Sequence, residues 1–242
     1  MNPDTSPSHD PFQDYDPQAC YETLVNAHEP IERRMQALLY ILQGNSVDAL
    51  MALLPLFEKS GNMELEVRQA IAIAFGEWGS ESSTEALLSC VDDASEEKSL
   101  RLVALQSLAK TQHAKALDRL MLALQDEDND FFATAADALE HFGQSALPEL
   151  CLMLQQGKTD VQCIAAWHLG KLKTSQGIPH LLNALKTHAH TDVLALCAWA
   201  LGEIGEARQE VLQVLKRQIS HPDAEVAQRA KDAYKKVTRN LN

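Results

Sequence analysis

Residues 159–205 read TDVQCIAAWHLGKLKTSQGIPHLLNALKTHAHTDVLALCAWALGEIG, and this stretch states one pattern twice. Asp160-Val161 followed by Trp167-His168-Leu169-Gly170-Lys171-Leu172 returns as Asp192-Val193 followed by Trp199-Ala200-Leu201-Gly202-Glu203-Ile204, at an offset of 32 residues. With the leucine of the Leu-Gly pair as marker, equivalents fall at Phe75, Leu108, Leu139, Leu169 and Leu201, spaced by 33, 31, 30 and 32. Small and apolar residues precede each marker (IAIAF, ALQSL, AADAL, AAWHL, CAWAL), and a second helix-patterned run follows after a short break. Two helices per unit at a period of about 30 to 47 residues define an α-solenoid, whose units bury their apolar faces only against neighbours.

Composition supports an all-α chain. Of 242 residues, 45% are hydrophobic but only 5% aromatic, so the core is built of Ala and Leu, which suits close helix stacking. Ten Gly and nine Pro are too few for an all-β alternative with its many turns. No run of 18 apolar residues occurs and the amino terminus is acidic, so neither a membrane span nor a secretory signal is expected and the location reads as cytoplasmic. Cys20, Cys90, Cys151, Cys163 and Cys197 form no CxxC and no even framework, which fits a reducing compartment. The formal charge of −13 speaks against a phosphate-tracking groove, and nucleic acid is not the expected partner.

In chain order, residues 1–17 carry four prolines and four aspartates and read as a flexible acidic tail, leaving residues 18–242 as a single solenoid. Helix pairs are expected at 18–29 with 31–43, 47–58 with 63–78, 83–92 with 96–110, 114–125 with 129–142, 145–156 with 160–172, 176–187 with 191–204, and 207–219 with 223–238. Pro30 opens one helix, while Gly61 and Gly79 close two others. Ser82 with Glu85 and Thr159 with Gln162 have capping-box spacing. The acidic run Asp126 to Asp130 reads as a helix cap rather than a calcium loop, which would need a central Gly and a Glu at its twelfth position. The basic residues Arg229, Lys231, Lys235, Lys236 and Arg239 fall on the last helix, where a solenoid needs a polar cap.

The repeated Asp-Val, seven residues, then Leu-Gly-x-Ile/Leu resembles the HEAT repeat in its short bacterial form, first noted in phycobilin lyases, over roughly residues 20 to 240. The resemblance implies a right-handed α-solenoid of about seven helix pairs. The family's Arg after the Val stands at Arg68 and Arg101, whereas Phe132, Gln162, Leu194 and Ala227 follow later, so a continuous Arg to Asp ladder is not expected in the second half.

In such repeats the second helix of each pair lines the concave surface. Periodicity then assigns to that surface the positions two, six and nine before each marker. In the later units this face, extended to the residue two after each marker, holds Asp130, Asp137 and His141 on one helix, Asp160, Cys163, Trp167 and Lys171 on the next, and Asp192, Trp199 and Glu203 on the third. Trp is the residue most enriched at binding hot spots, so two indoles at one repeat position suggest a partner site. Equally, each indole could fill a gap between helices with its N–H bonded to Asp137 or Glu203.

Catalytic patterns are thin. His168 reads as a helix-interface residue, and Cys197 occupies a small-residue core slot held elsewhere by Ile71, Ala104, Ala135 and Ala165. His180, His188 and His190 cluster without a carboxylate or Cys at ligand spacing, so no metal, catalytic residue or cofactor is expected. The primary expectation is a non-catalytic protein-interaction scaffold, its acidic, Trp-bearing groove holding a basic surface or helix of another protein. The resemblance keeps two alternatives in view: a phycobilin lyase-type chromophore chaperone, for which only Lys110 and Lys171 offer groove bases, and an accessory of an A-type iron-sulfur cluster carrier, for which Cys163 is the groove thiol.

Overall fold

The backbone's hydrogen bonds run within helices, and no strand occurs among the described residues. The structure, a computed structural model, describes residues 16–44, 47–58, 63–187 and 190–239. Most of the acidic tail, Gly61 and His188 lie outside these residues. The helices are α1 Pro17–Val25, α2 Ile31–Gln43, α3 Val47–Glu58, α4 Leu65–Trp78, α5 Glu81–Asp92, α6 Lys98–Thr111 and α7 Ala114–Ala123. They continue as α8 Asn129–Ala138, α9 Leu147–Gln156, α10 Thr159–Leu172, α11 Ile178–Thr187, α12 Thr191–Ile204, α13 Gln209–Gln218 and α14 Ala224–Arg239. None is long and apolar enough to cross a membrane.

Two compact units divide the chain, residues 1–119 and 120–242. In the first, α1 packs on α2, α3 on α4 and α5 on α6, and the second helices α2, α4 and α6 stack in order. In the second, α9 packs on α10, α11 on α12 and α13 on α14, with α10, α12 and α14 stacked likewise. The marker residues Phe75, Leu108, Leu139, Leu169 and Leu201 are buried, as are the small residues four before them, Ile71, Ala104, Ala135, Ala165 and Cys197. A repeat of about 32 residues thus places one large and one small side chain at each layer of the core. Close approach does the rest: a Cβ on Gly202 would stand 2.8 Å from both Cα and Cβ of Ala233 on α14.

Local signals differ from expectation at three places. Ser80, not Ser82, caps α5, its hydroxyl accepting from the Ser83 N–H at 3.1 Å. Thr159 is already helical, and Gln162 turns away from a capping box to donate its side-chain amide to the Leu154 carbonyl at 3.3 Å. That carbonyl lies in the last turn of α9, where intrahelical donors have run out, so it competes successfully for the amide. Finally, α8 stops at Ala138 rather than residue 142 and passes into 3-10 turns over Leu139–Ala146. Gly143 there has φ 50° and ψ −129°, a conformation closed to side chains bearing a Cβ. The acidic run behaves as a cap, Asp128 accepting from the Asp130 N–H at 2.9 Å.

Candidate functional site

The ten residues assigned to the open face all belong to the second unit, on α8 and the turns after it, α10 and α12. Asp130, Asp137, His141, Asp160, Lys171 and Asp192 are exposed, while Cys163, Trp167, Trp199 and Glu203 are half-buried. They are not one cluster. Three local arrangements account for most of them.

Trp167 centres the first arrangement. The Lys171 ammonium, one helical turn on, lies 5.0 Å from the centre of the indole, and the His168 ring meets it edge-on at 4.8 Å. An i,i+4 pair on one helix face brings the cation over the electron-rich ring without help from tertiary packing. Lys171 and His141 also border a cavity of about 410 Å³ that His168 helps to line. His168 is buried and bonds through Nε2 to the Ala136 carbonyl at 3.0 Å, so Nε2 carries the hydrogen. Burial holds its pKa below the ordinary value against the opposing pull of that hydrogen bond and of Glu140 and Asp137. The ring is therefore a neutral tie between α8 and α10.

Asp160, Cys163 and Asp192 form the second. Burial pushes the Cys163 thiol up, and the two carboxylates add to the shift, so the thiolate needed for nucleophilic or ligand chemistry is disfavoured here. Glu203 belongs to a third: it pairs with Lys236 of α14 at 2.7 Å. By sequence Lys236 belongs to a polar end cap, and its tie to α12 is visible only once α12 and α14 are stacked.

The two tryptophans are not equivalent. A Cβ on Gly170 would meet Cζ3 of Trp199 at 2.7 Å, so Trp199 rests on the bare backbone of α10. Trp167 meets the His168 ring and the Lys171 ammonium of its own helix. Neither indole N–H donates to a described residue, which removes the expected bonds to Asp137 and Glu203. Of the remaining histidines, His180 meets the Gln155 side chain at 2.8 Å and His190 lies 3.7 Å from Asp192.

These features define an all-α repeat protein with an open face rich in carboxylates and carrying two half-buried indoles. Residues 147–235 match the family model of HEAT repeats, so this stretch of the stack is of the HEAT type. No curated protein matches the chain. Among solved structures it is similar to the complex of CpcE and CpcF of phycocyanin lyase from Nostoc sp. PCC7120, at 18% identity over 98% of this chain and 100% of that one, TM-score 0.47. Human deoxyhypusine hydroxylase in complex with glycerol is similar at 19% identity over 92% and 96%, TM-score 0.43. A designed armadillo repeat protein is similar at 19% over 91% and 99%, TM-score 0.41.

Proposed function

We propose that the chain is a non-catalytic scaffold that holds a partner protein against the open face of α8, α10 and α12. Trp167 carries this reading. It is a half-buried indole whose N–H has no partner among the described residues, its ring met edge-on by His168 and covered by a Lys171 ammonium that a partner's own cation can displace. Large aromatic side chains so placed dominate binding energy in protein interfaces. The exposed carboxylates of Asp130, Asp137, Asp160 and Asp192 on the same three helices add negative charge, which draws a basic partner and rejects an acidic one. The thiol of Cys163, held protonated, does not add a reactive group to this face.

An affinity capture from source-cell lysate tests the reading, comparing the native protein with Trp167→Ala and with an Asp137→Asn, Asp160→Asn double variant, all equally helical by circular dichroism. The expected result is a partner recovered by the native chain, lost by Trp167→Ala, and recovered by the double variant with a weaker dependence on salt. Recovery of the same partners by all three overturns it.

A further inference from the structure

Away from that open face, a cavity of about 330 Å³ lies between the end of α7, the length of α9 and the start of α10. Met121 from α7, Leu152 and Met153 from α9, and Val161 from α10 line it with apolar side chains, beside the polar Gln125 and Gln156. Leu152 is 53% exposed, an aliphatic side chain left facing water on an outer helix. One wall, however, bears a charge. Glu149 stands in the first turn of α9, and its Oε2 is buried with no hydrogen-bond partner among the described residues. A carboxylate in a first turn complements the helix dipole, which accounts for the residue but not for an oxygen stripped of water and given no donor. An unmatched oxygen of that kind costs stability unless a donor meets it. The terminal torsion of Glu is broad, so a modest rotation turns this oxygen toward the cavity it borders.

We propose that this cavity receives one basic side chain, arginine or lysine, of a partner protein. The aliphatic stem of such a side chain lies along Met121, Leu152, Met153 and Val161, and its cationic end donates to Glu149. A stem that buries while its head reaches a charge is the ordinary behaviour of these residues. Methionine walls suit it, because thioether side chains adapt to a stem entering at different depths. The chain's formal charge of −13 favours the approach of a cation. Lys158, exposed, is the one cation among the residues that line it, and an entering cation must displace whatever attraction it has for Glu149. Because Glu149, Leu152 and Met153 of α9 carry this site, Glu149→Gln and Leu152→Ser test it without touching Trp167.

The test follows the methyl signals of Met121 and Met153 by NMR in the full chain while n-butylguanidinium is added. Its neutral isostere n-butylurea is titrated in parallel, as is a short peptide with one arginine between leucines. Both cationic ligands should move the two signals, the peptide at lower concentration, with n-butylurea at least tenfold weaker. Glu149→Gln keeps the shape of the side chain and should weaken the cations about tenfold without moving n-butylurea. Leu152→Ser, at an exposed position, should weaken all three. Equal shifts by n-butylguanidinium and n-butylurea, no loss in Glu149→Gln, or no shift at all would overturn the assignment. If n-butylguanidinium binds but the peptide does not, the site is one for small amines and the partner assignment is wrong.

Discussion

The two units close the ends of their first helices in different ways. In the first unit three arginines at matching positions turn back onto a carbonyl of the preceding helix. Arg34 donates to Leu24 at 2.8 Å, Arg68 to Phe57 at 2.8 Å and Arg101 to Val91 at 2.9 Å. Each carbonyl lies in a last turn, where acceptors outnumber donors and the helix dipole is negative, so a guanidinium satisfies both needs. Arg34 also pairs with Glu64, and Arg68 with Glu96 at 2.6 Å. In the second unit the same task falls to neutral groups. Gln162 donates to Leu154, Gln218 to Leu185 at 2.9 Å, and His168 to Ala136 within a second helix. Close glycine contacts occur in both units, Gly76 against Ser107 in the first and Gly170 under Trp199 and Gly202 against Ala233 in the second.

The sharpest way to separate the units is Arg68→Ala. It leaves the Phe57 carbonyl without its donor and the Glu96 carboxylate, 9% exposed, without its counter-charge. Breaking such a pair costs about 3–5 kcal/mol. Chemical denaturation with hydrogen exchange should show that loss in residues 63–119 and leave 160–239 protected.

Gly202→Ala is the complementary probe of the second unit. On a free helix this change stabilises by about 1 kcal/mol. Here the added methyl meets Ala233, and overpacking should instead destabilise toward the upper end of about 1–3 kcal/mol. Should the variant prove more stable, the close approach of α12 and α14 is wrong. Next in size, Trp199→Ala should cost about 2 kcal/mol, less than a fully buried aromatic. Trp167→Ala should cost about half as much in the same melts yet abolish partner capture. Equal stability losses would erase the distinction between the two indoles.

How much of this was legible from sequence follows from which interactions keep a fixed register. The marker positions and the small slots four before them obey helical periodicity, so the core could be read directly. Arg68 and Arg101 were visible because each follows the Leu or Val of its repeat pattern. Arg34 escaped, although its spacing of 34 from Arg68 was available, because no Leu-Gly pair marks the first repeat. Trp167 and Trp199 were recognisable as a repeated pair, but what separates them is a glycine on a neighbouring helix, which no single helix reveals. The cavity at Glu149 gave no signal either, since it gathers side chains from three helices.

Acid should sharpen the contrast further. His168 takes up its proton less readily when folded than when unfolded, so the second unit keeps its full stability above the ordinary histidine pKa of 6.5 and loses part of it as pH falls through that value. Its denaturation midpoint should therefore drop between about pH 7.5 and 5.5, and less so in His168→Gln. The smallest effect belongs to Glu64. Its hydrogen bond from Arg34 holds the carboxyl below the usual range, so that contribution to the first unit is present at neutral pH and fades only as pH falls through the depressed value. Because Glu64 is 43% exposed, water screens the pair, and Glu64→Gln should shift the first unit's acid midpoint only slightly.

The measurement that bears most directly on the scaffold reading is photo-crosslinking in source cells, with a photoreactive amino acid placed singly at Asp137, Asp160 or, on the far side of a helix pair, Gln213. The account predicts the same discrete adduct from positions 137 and 160 and none from 213. An adduct from 213 alone, or no adduct from either open-face position, would contradict it.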